Sequence, residues 1–497
     1  MTPGDRNDTR QGAGLDDYFR RAAARAPDAL ALADPPDRAS FTDATPRRLT
    51  YAEADRAIEA TAGRLLDLGL PPGSIVALQI PNIVESVIAF FGVLRAGLIA
   101  APMPLLWREA DAVAALGRLA PRALIALRRL GEVDHAAIVM QIAAEIFTVR
   151  FVCGFGSDLP DGVIGLDGVF AETTGTRAGS QRSVAPGEVA VLTFDVTARG
   201  IVPVAHTHAQ LLAAAAAIVA EAGLEQGGAM LGALATGSFA GLASVVLPWL
   251  ITGGALALHQ SFSPDVLLAQ LNAERCASAV VPAAILSPME TAGLFRRAPA
   301  LRSVLAVWRS PEFLAAAAAW PDSAPSCVDL AVFGEAGVIP RRRGPDGIPA
   351  AIPLGILGSV RAIEVARTAT GTLAIRGPMV PAPPPHGDGP GGPSALKIDA
   401  EGFVDTEYPC RLDRDGNGVI VSGPPAGLIN VGGYRFAWRE LQEVLAALGE
   451  GASLAALPDR LAGHRLAGVA ADCERVQRAL VARGVNPLLI AAFRDRR

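Results

Sequence analysis

The stretch LINVGGYRFAWRELQEVL, Leu428 to Leu445, is where the chain declares its architecture. LINV and YRF read as short strands, Gly432 and Gly433 between them read as a tight turn, and WRELQEVLAAL (Trp438 to Leu448) changes to the period of an amphipathic helix. Together with the turn-and-strand pattern that begins at Arg411, this predicts a small C-terminal α+β domain over residues 424–497.

Upstream the pattern differs. SIVALQI (Ser74 to Ile80) reads as a buried strand ending at Pro81-Asn82, and VESVIAFFGVLRAG (Val84 to Gly97) as a helix stopped by its glycine. EVAVLTF (Glu188 to Phe194) reads as a second strand, followed by a loop and then a helix from about Ala209 to Ala222, stopped by Gly223. Strands alternating with helices predict an α/β fold in which doubly wound, largely parallel sheets build a large domain over residues 15–423. The polar residues 1–14 carry no apolar run and are expected to be disordered, with no signal peptide. PAPPPHGDGPGGP (Pro381 to Pro393) is expected to be an exposed loop. A chain of 497 residues exceeds the size at which single cores stop growing, about 250 to 300 residues, so more than one domain is required.

Composition narrows the function classes. Hydrophobic residues make up 51% and the net charge is only -5, which excludes a disordered chain and an electrostatically driven nucleic-acid binder. No charged residue occurs between Glu225 and Asp265, but Gly232, Gly237, Gly241, Pro248, Gly253 and Gly254 divide that run into pieces of strand or helix size, so a buried layer is expected and no membrane span. Cys153, Cys276, Cys327, Cys410 and Cys473 are scattered without a C-x-x-C pair, which suggests neither a disulfide framework nor a zinc site and points to the cytoplasm. Lys397 is the only lysine among 44 basic residues, so any chemistry that needs a lysine elsewhere is ruled out.

Six motifs then fall in a recognisable order: LTYAEAD (Leu49 to Asp55), IPN (Ile80 to Asn82), LRAGLIAAPMP (Leu94 to Pro104), VAHTH (Val204 to His208), GTLAIRGPMV (Gly371 to Val380) and the stretch from Leu428. Over residues 15–475 the chain resembles the AMP-dependent synthetase and ligase family, the adenylate-forming acyl-CoA synthetases and their relatives. The resemblance implies the adenylate-forming enzyme fold. It also implies ATP and magnesium as cofactors, activation of a carboxylate to an acyl-adenylate with release of pyrophosphate, and coenzyme A as the acyl acceptor.

The residues at the matching positions depart from the family's pattern. Its phosphate loop is rich in Ser, Thr and Gly and ends in a lysine, whereas this chain offers Thr197, Arg199 and Gly200, places Val202 at the lysine position and puts Asp195 where a carboxylate repels phosphate. The aromatic-Gly-x-Thr-Glu motif that helps to hold phosphate and magnesium becomes Phe333, Gly334, Glu335, Ala336, Gly337, with its glutamate two positions early. Just upstream, Trp308 and Arg309 stand where small residues face adenine. The ribose-binding Thr-Gly-Asp triplet becomes Thr406, Glu407, Tyr408. The hinge reads Gly423, Pro424, Pro425, Ala426, Gly427, where the prolines limit rotation and Gly427 is the substitute pivot. No lysine follows Lys397, and Arg494, Arg496 and Arg497 are read as free charges at the end of the chain.

Gly432, Gly433 and Tyr434 match the loop that lines the family's pantetheine tunnel; the same residues also read as a turn that packs the small domain. His206 and His208 are read as structural residues entering a helix, and Phe239, Trp249 and Val281 either as core or as the wall of an acyl pocket. No catalytic residue and no metal ligand is assigned. The expectation is an acyl-CoA-synthetase-like protein without ordinary adenylation that binds an acyl or CoA ligand or a pathway enzyme. The alternatives are a divergent, active carboxylate-CoA ligase with arginines standing in for lysine, and a non-catalytic scaffold subunit of an active homologue.

Overall fold

The helix Val84–Arg95 has all twelve of its residues buried, its apolar middle by packing and its charged ends by pairing, Glu85 with Arg38 and Arg95 with Asp16 and Asp55. It is flanked by parallel sheet. In the computed structural model, which describes residues 13–172, 184–260, 263–358, 363–381, 396–449, 451–459 and 461–494, four sheets of four or more strands are present among the described residues. The proline- and glycine-rich segment after Pro381, the first twelve residues, and Arg496 and Arg497 lie outside those limits.

The first seven-stranded sheet is centred on Ile75–Gln79, which pairs in parallel with Ile99–Pro102 on one side and Ala123–Leu127 on the other. The eight-stranded sheet runs from Gly337–Arg342 through Ser326–Phe333, Ser303–Trp308, Ser278–Pro282, Met230–Gly232 and Leu256–Leu258 to Leu30–Ala33 and Arg48–Thr50, with antiparallel pairing only at its two ends. Strand and helix alternate as their sequence pattern implies, and parallel crossovers place helices on the sheet faces. A third, antiparallel sheet of seven strands includes Val404–Leu412, and a four-stranded antiparallel sheet occupies Leu428–Val469. This last sheet and the helices Trp438–Ala446, Cys473–Ala482 and Pro487–Ala491 enclose their own core around Phe436, Leu441, Val476, Leu480 and Phe493. This is the small C-terminal α+β domain.

The uncharged run after Glu225 is a buried layer. Met230–Gly232 and Leu256–Leu258 are adjacent strands, and the helical turns from Phe239 to Thr252 pack beside them. No helix among the described residues is long and apolar enough to cross a membrane.

One local expectation is corrected. The segment after Phe194 is a β-hairpin rather than a loop: Val189–Thr197 and Gly200–Thr207 pair from Val189↔Thr207 to Thr197↔Gly200 around the two-residue turn Ala198-Arg199. β-branched Val196, Thr197, Ile201 and Val202 favour the extended state, and Pro203 is tolerated because its strand is the outermost of the sheet. Helix His208–Ala222 follows at once, capped by Thr207, whose Oγ1 accepts from Gln210 N, and closed by Gly223 in the left-handed conformation.

Candidate functional site

The hairpin fixes what the phosphate-loop residues can reach. Thr197 uses its hydroxyl on the turn, donating to Gly200 O at 3.1 Å and accepting from Arg199 N at 3.1 Å. Arg199 is exposed at the tip. Gly200 is covered by the small domain, since a Cβ there would overlap the Glu440 carboxylate. The backbone that would have to wrap a triphosphate is drawn into a strand ladder.

Asp195, on the same hairpin, faces inward and accepts from Arg435 Nη1 at 2.9 Å. Arg435 lies in the strand Tyr434–Ala437 of the small domain, its side chain only 10% exposed. Its Nη2 donates to the Tyr408 hydroxyl, and its guanidinium lies 5.2 Å from the centre of that ring. Burial alone would lower the Arg435 pKa, but Tyr408, Asp195, Glu335 and Glu312 together hold it above the ordinary arginine value. Tyr408 is fully buried and meets Phe333 edge to face at 5.3 Å. Its direction follows from its neighbours. Glu407 has φ +61, its backbone N donates to Asp405 Oδ1 at 2.8 Å, and its carboxylate pairs with Lys397. Thr406 donates its hydroxyl to Leu373 O. Gly334 is where these parts meet: with φ +60, a Cβ would overlap Asp195 Oδ2 and approach Arg435 Nη1.

Glu335 is 3% exposed. It accepts from Phe239 N at 2.6 Å and from the Thr193 hydroxyl, and Arg309 Nη2 lies 3.7 Å away. Burial pushes its carboxyl up to about 7, with Arg309 acting in the opposite sense. Thr193 Oγ1 is 2.8 Å from His206 Nε2. Because the hydroxyl's proton goes to Glu335, Nε2 is the donor and the imidazole is neutral; burial lowers its pKa to about 3. His208 Nδ1 accepts from Leu15 N at 3.1 Å. Both histidines are thus built into the packing, as their sequence context suggests.

Against this geometry, a magnesium-bound triphosphate does not fit in the present domain arrangement. Asp195 and Glu335 set carboxylates at the positions matched to the phosphate-contacting motifs, and the Arg435 guanidinium is already held by Asp195 and Tyr408. The described residues contain no group of three or more His, Cys, Asp or Glu able to hold a metal ion. Arg494 is exposed beyond the small-domain core, and Lys397 is engaged by Glu407.

Beside this cluster a cavity of about 870 Å³ opens between the domains. Its large-domain wall includes Ser287, Trp308, Phe313 and Trp320, and its small-domain wall includes Gly432, Gly433 and Tyr434. The indole donors point away from it in bonding terms: Trp308 Nε1 donates to Asp329 Oδ1 at 2.8 Å and Trp320 Nε1 to Pro325 O at 2.6 Å. The wall they form is therefore apolar. Gly433, at φ +79, lies against Arg309, where a Cβ would be 3.4 Å from Arg309 Cβ. Phe239, Trp249 and Val281, the residues left open between core and pocket, are fully buried and line none of this cavity. The cavity's own signal in the sequence is the alanine run before Trp320, small side chains that leave space beside a large ring.

Parallel sheets stacked in a large domain, a small α+β domain closing on their edge and a cavity at the junction define the class as the adenylate-forming enzyme fold. The family model of the AMP-binding enzyme matches residues 19–193. The 2-hydroxy-7-methoxy-5-methyl-1-naphthoate–CoA ligase of Streptomyces carzinostaticus is 28% identical over 97% of this chain and 88% of that protein. The medium-chain fatty-acid–CoA ligase of Escherichia coli strain K12 is 25% identical over 53% of this chain and 45% of its own length. Among solved structures, the amide bond synthetase McbA from Marinactinospora thermotolerans superposes with a TM-score of 0.71 at 18% identity, covering 95% of this chain and 94% of McbA, a likeness of fold.

Proposed function

We propose that this protein is an acyl-CoA-synthetase-like binding protein of the cytoplasm that takes an acyl or acyl-CoA ligand in its junction cavity and does not carry out ordinary ATP-dependent adenylation. One observation carries the reading: Arg435 of the small domain is held by Asp195 and Tyr408 of the large one, beside Gly334. The apolar wall around Trp308 and Trp320 favours an aromatic or aliphatic acyl group, and the Gly432-Gly433 turn leaves a narrow approach suited to a pantetheine-like arm. Residues 424–427 are proposed as the hinge, and a pathway enzyme or an active homologue as the partner that supplies or takes the ligand.

Trp308 and Trp320 provide the test, because a ligand in the cavity alters their emission. Titration with a panel of aryl- and alkyl-CoA thioesters in the absence of ATP should give saturable changes. Binding that appears only when ATP is present would overturn the reading.

A second reading, a divergent but active carboxylate–CoA ligase using ATP, magnesium and CoA, is favoured by the nearly full-length match to a protein named as a CoA ligase. It requires the small domain to rotate and withdraw Arg435. ATP-dependent hydroxamate formation from a carboxylate panel with hydroxylamine would establish it.

A further inference from the structure

Two departures from the family's pattern lie far apart in sequence, yet they bond one group. Asp195 of the hairpin and Tyr408 of the ribose triplet, beside the retained Gly334 of the aromatic-glycine turn, surround a single guanidinium. We infer that Arg435 is an internal occupant of the nucleotide seat, and that its contacts with Asp195 and Tyr408 latch the small domain onto the large one without a nucleotide. This goes beyond the ligand reading, because it concerns how the domains are held whatever the cavity takes.

Three kinds of observation support a latch over a chance contact. The acceptors are built for it: Tyr408 is set by the left-handed Glu407, which Lys397 holds, and Gly334 alone leaves room for Asp195 and Arg435 to meet. The latch is also embedded in a wider seam. Trp107 Nε1 donates to Tyr434 Oη at 2.6 Å, Asn430 Nδ2 to Glu312 Oε1 at 2.6 Å, and Ala110 N to Gly484 O at 2.9 Å. Finally, the charges are matched only when the seam is closed. Arg435 faces Asp195, Glu335, Glu312 and Tyr408, while Glu335 also faces Arg309. Withdrawing Arg435 leaves those carboxylates facing one another, and a buried ion that loses its partner is strongly disfavoured.

The test reads domain closure directly, by small-angle X-ray scattering and hydrogen exchange on the full chain. The variants are Arg435→Gln, Asp195→Asn, Tyr408→Phe and the charge exchange Asp195→Arg/Arg435→Asp. The wild type should scatter as the closed form and not respond to millimolar magnesium-ATP. Arg435→Gln and Asp195→Asn should raise the radius of gyration and speed exchange in residues 189–207 and 428–437 by roughly tenfold or more, with other segments unchanged. Tyr408→Phe should move both in the same direction by less, and the charge exchange should move both back toward the wild type. If Arg435→Gln does not fold, Asp195→Asn and Tyr408→Phe decide alone. A wild type that is already open, or single variants with wild-type exchange at the seam, would overturn the latch. Titrating the same samples with magnesium-ATP separates the two claims: nucleotide binding by a closed wild type would sink the ligand reading and the occupancy of the seat, while an open wild type that binds no nucleotide would sink the latch alone.

Discussion

Trp107 Nε1 donates to Tyr434 Oη at 2.6 Å, fastening a ring that is 1% exposed in the large domain to the residue that follows the Gly432-Gly433 turn of the small one. The contact joins the best-kept motif of the sequence to the cavity it lines. Tyr434→Phe removes the acceptor and leaves the indole N–H without a partner, a loss of about 1–3 kcal/mol. Urea unfolding should show it, and Trp107→Phe in the same background should recover part of it, because no orphaned donor then remains.

Glu335 makes stability depend on pH. An ordinary glutamate titrates near 4.5, and this one, raised by burial, near 7. Between those values the folded state holds more protons than the unfolded chain, so this group's contribution falls as pH rises from about 4.5 to about 7 and is level beyond. Glu335→Gln can keep the bond from Phe239 N and turn its amide toward Thr193. It should flatten that slope and stabilise the protein at pH 8 by up to roughly 3 kcal/mol. Thermal melts across pH would check this, and parallel slopes in the two proteins would refute it.

Arg343 and Asp329 form a two-bond ion pair, both contacts 2.8 Å, with side chains 3% and 2% exposed. Asp329 also accepts from Trp308, so the pair backs the cavity wall. Arg343→Met strands the carboxylate and should lower stability by about 3–5 kcal/mol. Asp329→Asn should cost less, since an amide oxygen can still accept from Trp308. Denaturant midpoints for the two variants would rank them.

Ser287 is exposed and faces the cavity, so Ser287→Trp fills space without disturbing the core. Thioester binding followed by tryptophan emission should weaken by roughly tenfold or more, with the melting temperature unchanged. Unaltered affinity would place the ligand elsewhere.

The alternation that predicts the parallel sheets, the buried helix from Val84 and the amphipathic helix from Trp438 are local patterns, and they were legible because each element's period is set by which face it buries. The hairpin was less so. Its signal, two β-branched runs around Ala198-Arg199-Gly200, was present, but the resemblance to a glycine-rich loop pointed to irregular backbone. Each substitution also looked like a separate loss, because nothing local joins Asp195 to Arg435 across 240 positions. Only the packed domains bring a new acid and a new tyrosine onto one arginine. Of the cavity, the sequence shows the Gly432-Gly433-Tyr434 edge but not the wall around Trp320, because large apolar residues such as Trp249 mark the core whereas space is left by small ones.

The most direct measurement is calorimetric titration of magnesium-ATP into the purified wild-type protein. With Arg435 seated between Asp195 and Tyr408, no saturable heat should appear up to several millimolar nucleotide. Saturable binding at micromolar to sub-millimolar concentration would contradict the account and make the divergent ligase the better description.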